Sequence, residues 1–205
     1  MQSESVQYGG WPNCQRISNG TIEIIATTDV GPRIIRFGFV GEENEFREVP
    51  EHAGLTGGNE WRSYGGHRLW HAPENKPRSY QPDNEPIEFE MLPDGLRLTQ
   101  PVETRTGIQK EMEIKFLAEQ HLRVIHRLEN TGLFGLEFAP WALSVMAARG
   151  VAVLPLPERG CHPQDLLPSS SITLWSYTDL SDPRWTFGRQ FVMLRQDASC
   201  QSPQK

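Results

Sequence analysis

The strongest constraint on the fold is the strict alternation of apolar and polar residues in segment 109–116. Met112, Ile114 and Phe116 fall on one face of this segment, and charged residues fall on the other. A period of two is typical of a β-strand with one buried face. No segment carries the apolar stripe of an amphipathic helix bounded by caps. The sequence therefore predicts an all-β protein.

Turn signals divide the rest of the chain into further strands. Asn19-Gly20 is typical of a two-residue hairpin turn, because both residues tolerate a positive φ. The predicted strands are 14–18, 21–26, 33–40, 45–49, 87–92, 96–99, 109–116, 121–128, 136–146, 150–157, 172–176 and 190–195. Segment 50–86 is rich in Gly and Pro, which predicts a long, ordered loop. We expect a meandering antiparallel sandwich in a single domain spanning residues 1–205.

Charge and composition exclude several classes of protein. The chain has 20 Lys and Arg against 26 Asp and Glu, a net charge of −6, so we expect neither nucleic acid nor an anionic membrane as partner. No apolar run approaches the roughly 20 residues of a membrane span, and the N-terminus lacks a secretory signal. The three Cys form no C-x-x-C pair. These features predict a cytoplasmic protein without a cofactor.

The segment from Trp61 to Glu74 carries the most chemistry. It holds two His, two Arg, three aromatic residues and a Glu around the pair Gly65-Gly66. Sugars stack their apolar ring faces on aromatic side chains, and their hydroxyls bond to His, Arg or carboxylate groups. The segment is therefore a candidate carbohydrate site, although a surface loop fixed by its own aromatic residues would have the same composition.

A metal site is a further interpretation, because His67, His71 and Glu74 are ligand types that suit zinc or iron. We expect a four-residue step to place two His on one face only in a helix, which Pro73 and the glycine pair disfavour. We therefore assign no metal ligand. His121 and His126 are expected to be surface or core residues, and Trp141 is a secondary candidate for sugar binding.

Nothing in the sequence points to a hydrolase, an NTPase or a dehydrogenase. There is no G-x-S-x-G, P-loop or dinucleotide-binding motif between a predicted strand and a helix.

The order of three motifs resembles an uncharacterised bacterial family of the galactose-mutarotase-like superfamily. These motifs are Gly31-Pro32-Arg33-Ile34-Ile35, Gly65-Gly66-His67-Arg68-Leu69-Trp70-His71-Ala72-Pro73-Glu74 and Pro140-Trp141-Ala142-Leu143-Ser144-Val145-Met146. The resemblance extends over nearly the whole chain. It implies a large antiparallel β-supersandwich with a sugar-binding cleft, as in aldose epimerases.

The resemblance also implies site residues. His67 becomes the candidate catalytic residue, and the candidate substrate-binding residues are Arg68, Trp70, His71, Glu74 and Trp141. Aldose epimerases hold a catalytic His on the strand that here reads 140–143, which contains no His. Their general-base Glu lies in a C-terminal segment, and we expect this chain to end before it, so that the fold is incomplete at its C-terminal end.

Three functions remain open on the sequence alone. The first is a mutarotase-like protein that binds or isomerises a small-molecule carbohydrate. The second is a non-catalytic remnant or interaction module that keeps the fold and binds no sugar. The third is a metal-binding protein of the cupin type.

Overall fold

Thirteen β-strands and no helix make up the computed structural model, which describes all 205 residues. The predicted all-β class with antiparallel sheets is confirmed. The chain divides into two compact units, Met1–Ala147 and Ala148–Lys205. The assignment of residues 1–205 to a single domain stays a prediction. The chain has no helix that is both long and apolar enough to cross a membrane.

The first unit contains ten strands in two antiparallel sheets. They are β1 (Gln2–Tyr8), β2 (Trp11–Ser18), β3 (Ile22–Thr27), β4 (Arg33–Phe39), β5 (Gly66–Ala72), β6 (Glu88–Leu92), β7 (Gly95–Thr99), β8 (Ile108–Ala118), β9 (His121–Asn130) and β10 (Ala139–Val145). One sheet has the order β1-β2-β3-β4-β5-β10, and the other has the order β6-β7-β8-β9. Both sheets are meanders, except that β10 returns to pair with β5 after the second sheet is complete.

A single apolar core joins the two sheets of this unit. The larger sheet contributes Ile17, Ile24, Ala26, Ile34 and Leu69, and the smaller sheet contributes Leu96, Leu98, Met112 and Ile114. The alternation in β8 is explained by this packing, since Met112 and Ile114 face the core and Glu113 and Lys115 form ion pairs on the other face. Lys110 is the exception, because it is buried on the core face and paired with Glu103. The two sheets thus form a sandwich.

The larger sheet also buries part of its other face. A second apolar cluster lies there, formed by Trp11, Cys14, Ile25, Val30, Ile35 and Tyr64. Strand β3 is consequently buried along its whole length. This explains why residues 22–26 read as a nearly continuous apolar run instead of an alternating one.

The second unit contains β11 (Val151–Pro155), β12 (Trp185–Phe187) and β13 (Phe191–Arg195), in the order β11-β13-β12. Val192 is its one buried large apolar side chain. Many others are exposed, among them Leu166, Leu167, Ile172 and Phe187.

Several predicted boundaries are wrong. Segment 45–49 forms only isolated bridges, Phe46 with Met146 and Glu48 with Gly65, and segment 172–176 forms no strand. The predicted loop 50–86 contains β5, and strands β1 and β12 were not predicted. Strand β5 was missed because its two faces carry different polar groups, so that neither face reads as an apolar stripe.

Candidate functional site

Strand β5 places the predicted site residues on two opposite faces of the larger sheet. Leu69 belongs to the core between the sheets, and His67 lies on the same face, with its ring stacked on Phe46 at 6.3 Å between centroids. Arg68 and Trp70 point to the other face because successive residues of a strand alternate. Arg68 and Trp70 are therefore separated from His67 and His71 by the sheet itself.

Gly65 and Gly66 precede the site residues, and neighbouring backbone segments approach them too closely for any side chain. Gly65 and Gly66 have φ values of +81° and +67°, which disfavour any side chain. A Cβ on Gly66 would lie 2.2 Å from the carbonyl oxygen of Ile34, and one on Gly65 would lie 2.1 Å from that of Arg47. The pair thus lets β5 begin directly against its neighbours.

An aromatic–arginine cluster occupies the face of β5 that carries Arg68. Its members are Trp61, Arg68, Trp70, Tyr80 and Trp141. The Arg68 guanidinium carbon lies 4.5 Å from the centroid of Trp70 and 5.1 Å from that of Trp61. Trp70 meets Tyr80 at 4.8 Å and Trp141, its partner in register on β10, at 5.6 Å. The guanidinium is therefore held against two indole rings, a favourable cation–π arrangement.

Arg68 is a buried cation without an acidic partner. The residue is only 8% exposed, and its Nε and Nη1 atoms have no hydrogen-bond partner. Burial and, to a smaller extent, the nearby charge of Arg33 lower the pKa of Arg68 to about 10, whereas Asp83 opposes the shift. The group remains charged at neutral pH. Both nitrogens are closed off from solvent, so their N–H groups are unsatisfied donors inside the folded chain.

The other predicted members of this site have supporting positions. Trp70 is only 4% exposed, so its faces contact protein groups and it holds Arg68 in place. Trp61 and Trp141 are half-buried. Glu74 lies just beyond β5 and accepts a hydrogen bond from the Tyr80 hydroxyl at 2.5 Å. Arg68, Trp70 and Trp141 thus lie in one cluster, and Glu74 reaches it through Tyr80. Their role in sugar binding stays a prediction.

A cavity of about 280 Å³ in the same unit has a lining rich in hydrogen-bond acceptors, and we call it the acceptor cavity. It is lined by segments 81–85 and 100–105 together with Gly31, Gly58 and Asn59. Asp83 and Gln100 are 8% and 7% exposed, yet Oδ1 of Asp83 and Oε1 of Gln100 accept no hydrogen bond. A buried acceptor without a donor costs about 1–3 kcal/mol, so a ligand donor that reached either oxygen would remove that cost.

Asp83 is fixed in the cavity wall by a buried ion pair. Its Oδ2 accepts a hydrogen bond from Arg33 at 2.6 Å, and Arg33, which is fully buried, also donates to the Gly65 carbonyl at 2.7 Å. The charge of Asp83 also acts on the pKa of Arg68. The acceptor cavity and the aromatic–arginine cluster are therefore electrostatically coupled.

On the core side of β5, His67 belongs to a hydrogen-bonded chain. Its Nε2 lies 2.8 Å from Nε2 of His126 on β9, and its Nδ1 lies 2.8 Å from the Ser144 hydroxyl on β10. Burial lowers the pKa of His67 to about 4 and also lowers that of His126. We call His67 and His126 the histidine pair. Both rings are neutral at pH 7.

His71 lies on the same face as His67 but does not join it. It is 1% exposed, neither ring nitrogen has a hydrogen-bond partner, and burial lowers its pKa. Residues four apart in a strand share a face, so the expectation that only a helix would align His67 and His71 is wrong. Their separation along the strand is about 13 Å, which is too far for one ion. No group of three or more His, Cys, Asp or Glu side chains is arranged to hold a metal.

Sequence reasoning missed Asp83, Gln100 and His126 as site residues. Asp83 and Gln100 lie in connections between strands, and only the folded chain shows that their oxygens are buried without donors. His126 had a usable signal, because alternation placed it on the core face of β9, where a His is exceptional.

Comparison with protein-family models, with curated proteins and with solved structures gave no match. The functional assignment therefore depends on the geometry of these groups and on the resemblance of the sequence motifs.

Proposed function

We propose that this chain is a carbohydrate-binding protein of the galactose-mutarotase-like type, with its two sheets forming part of a supersandwich. The observation that carries the proposal is the acceptor cavity, in which Asp83 and Gln100 present buried oxygens that lack donors. Sugar hydroxyls are donors that such oxygens accept. The cavity volume lies near the lower end of the ~300–1,000 Å³ range of ligand sites, which suits a monosaccharide.

The aromatic–arginine cluster supports the same ligand class. Arg68 has unused N–H donors, which complement the ring or hydroxyl oxygens of a sugar. Trp61 and Trp141 are half-buried, so their accessible edges resemble the amphipathic surfaces on which sugars rest. The cluster residues do not line the cavity, so the cluster supports the ligand class by its chemistry and not by its position.

The geometry favours binding over isomerisation. Opening a sugar ring needs a general acid and a general base beside the same anomeric carbon. His67 lies on the opposite face of β5 from Arg68 and does not line the acceptor cavity. The cavity carboxylates of Asp83 and Glu103 are held in ion pairs with Arg33 and Lys110. We therefore propose a binding protein without mutarotase activity.

Thermal unfolding in the presence of sugars tests the proposal. The panel contains neutral hexoses and pentoses, uronic acids and sugar phosphates, each compared with sorbitol at equal osmolality because excluded osmolytes stabilise any fold. A ligand at ten times its Kd contributes about 1.4 kcal/mol, which raises Tm by about 3–5 °C. A cooperative transition that no sugar moves beyond the sorbitol control would contradict the proposal and favour a non-catalytic interaction module.

A further inference from the structure

Strand β9 is an open edge of the smaller sheet. It pairs with β8 along its length and has no strand on its other side. Alternate backbone N–H and C=O groups of an edge strand point away from its one neighbour. No backbone group of residues 122–129 bonds to any segment other than β8. This edge is therefore free to pair with a further strand.

The outer face of β9 carries two charges that have no partner within the chain. This face presents the odd-numbered residues, because the even-numbered ones pack against the core. Arg127 forms ion pairs with two carboxylates of β8. Arg123 and Glu129 are exposed, and neither forms an ion pair or a side-chain hydrogen bond. These two charges are opposite in sign and lie at equal distances along the strand on either side of His126.

A second copy of β9 would complement this arrangement. When two copies pair antiparallel about a twofold axis at His126, each residue opposes the one equally distant on the other side of the axis. Arg123 then opposes Glu129 of the second copy, and symmetry produces this contact twice. On the core face, Val124 opposes Leu128 of the second copy, also twice. Opposite charges and apolar side chains directly across from each other both stabilise a strand pair.

The charges of β9 also select this register over its neighbours. An axis at Ile125 would place Arg123 opposite Arg127 of the second copy, and an axis at Arg127 would place that arginine opposite itself. Like charges directly opposite each other are destabilising. An axis between two residues would oppose side chains of different faces, which a continuous sheet does not allow. One register therefore satisfies both faces of the strand.

We propose that the β9 edge is an interaction surface for a second copy of this chain, with the two smaller sheets joined into one continuous antiparallel sheet. The contact is closed by its twofold symmetry, because each copy uses its β9 edge once. It also adds a neighbour beside Val124 and Leu128, which the single chain leaves only half-buried. A single pair of edge strands is a small interface, so we expect association in the micromolar to millimolar range.

Sedimentation velocity over a dilution series up to millimolar concentration tests this surface. The wild-type chain is expected to show a monomer–dimer equilibrium. Arg123→Glu and Glu129→Arg each place like charges opposite each other twice, so each variant alone should dimerise roughly tenfold or more weakly. Arg159→Glu makes the same change of net charge at an exposed position outside β9 and should leave dimerisation unchanged.

An equimolar mixture of Arg123→Glu and Glu129→Arg gives the sharpest result. In the mixed dimer both charged contacts again join opposite signs, so the mixture should associate about as tightly as the wild type. Recovery on mixing also shows that both variants are folded. A wild-type chain that stays monomeric at millimolar concentration would overturn the proposal, as would association that neither charge reversal weakens. Neither result bears on sugar binding, which involves different residues.

Discussion

The buried ion pair between Arg33 and Asp83 yields the most quantitative prediction. Arg33 is fully buried, and Asp83 is its one carboxylate partner at 2.6 Å. The substitution Asp83→Asn keeps the size of the side chain and removes its charge, so a guanidinium remains buried without compensation. Breaking a buried pair in this way costs about 3–5 kcal/mol. For a chain of this length the corresponding fall in Tm is about 6–20 °C.

Urea unfolding at pH 7 measures this loss, with Asp94→Asn as the matched control. Asp94 is half-exposed in the turn between β6 and β7, so its replacement should change the free energy of unfolding by less than about 0.5 kcal/mol. Combining Asp83→Asn with Arg33→Met removes both charges, and the double variant should be more stable than Asp83→Asn alone. If Asp83→Asn lowers the free energy of unfolding by less than about 1 kcal/mol, the pair is not buried as described, because water then compensates the Arg33 charge.

Three further predictions concern single positions. Arg68→Met removes a buried charge that has no counterion, so the free energy of unfolding in urea at pH 7 should change by less than about 1 kcal/mol. The pKa of His67 in the folded chain, about 4, lies below its value in the unfolded chain, about 6.5. The unfolded chain therefore binds the proton first, and the free energy of unfolding falls by up to about 3 kcal/mol as the pH drops from 6.5 towards 4. Urea unfolding of His67→Gln should show a weaker pH dependence over this range. Ile114→Ala, in the core, should cost about 2–5 kcal/mol in the same assay, whereas Leu117→Ala, exposed on the same strand, should cost under 1 kcal/mol. Equal losses at these two positions would contradict the assigned core face.

The sequence predicted those strands in which one face is apolar and the other charged. Strand β8 is the clearest case, because its alternation matches the core on one side and the ion pairs on the other. The hairpin between β2 and β3 was also predicted, but its turn was not: Ser18 pairs with Glu23 instead of Thr21, and Gly20 has a positive φ whereas Asn19 does not. Strand β5 was not predicted, because Arg68 and Trp70 are buried against loops and not against a second sheet. Such burial depends on contacts far apart in the chain, which local periodicity does not encode.

The candidate site was predicted in part for the same reason. The sequence identified Arg68, Trp70 and Trp141 from their residue types, and the register of β5 with β10 brings these residues together. It also grouped His67 with Arg68 because both belong to the Gly65–Glu74 motif, although adjacent residues in a strand point to opposite faces. The partners of His67 lie 59 and 77 residues further along the chain, so no motif could indicate them.

The most direct test of the central claim is calorimetric titration of the chain and two variants with the sugar that gives the largest thermal shift. Gln100→Met removes Oε1 of Gln100, a buried oxygen without a hydrogen-bond donor in a residue that lines the cavity. Gln120→Met, in an exposed turn, is the control. We predict that Gln100→Met binds the sugar about 5- to 150-fold more weakly, the equivalent of one hydrogen bond of about 1–3 kcal/mol. We also predict that its unliganded form is at least as stable as the wild type, because an unsatisfied buried group is gone. Unchanged affinity in Gln100→Met would contradict the assignment of the acceptor cavity as the carbohydrate site.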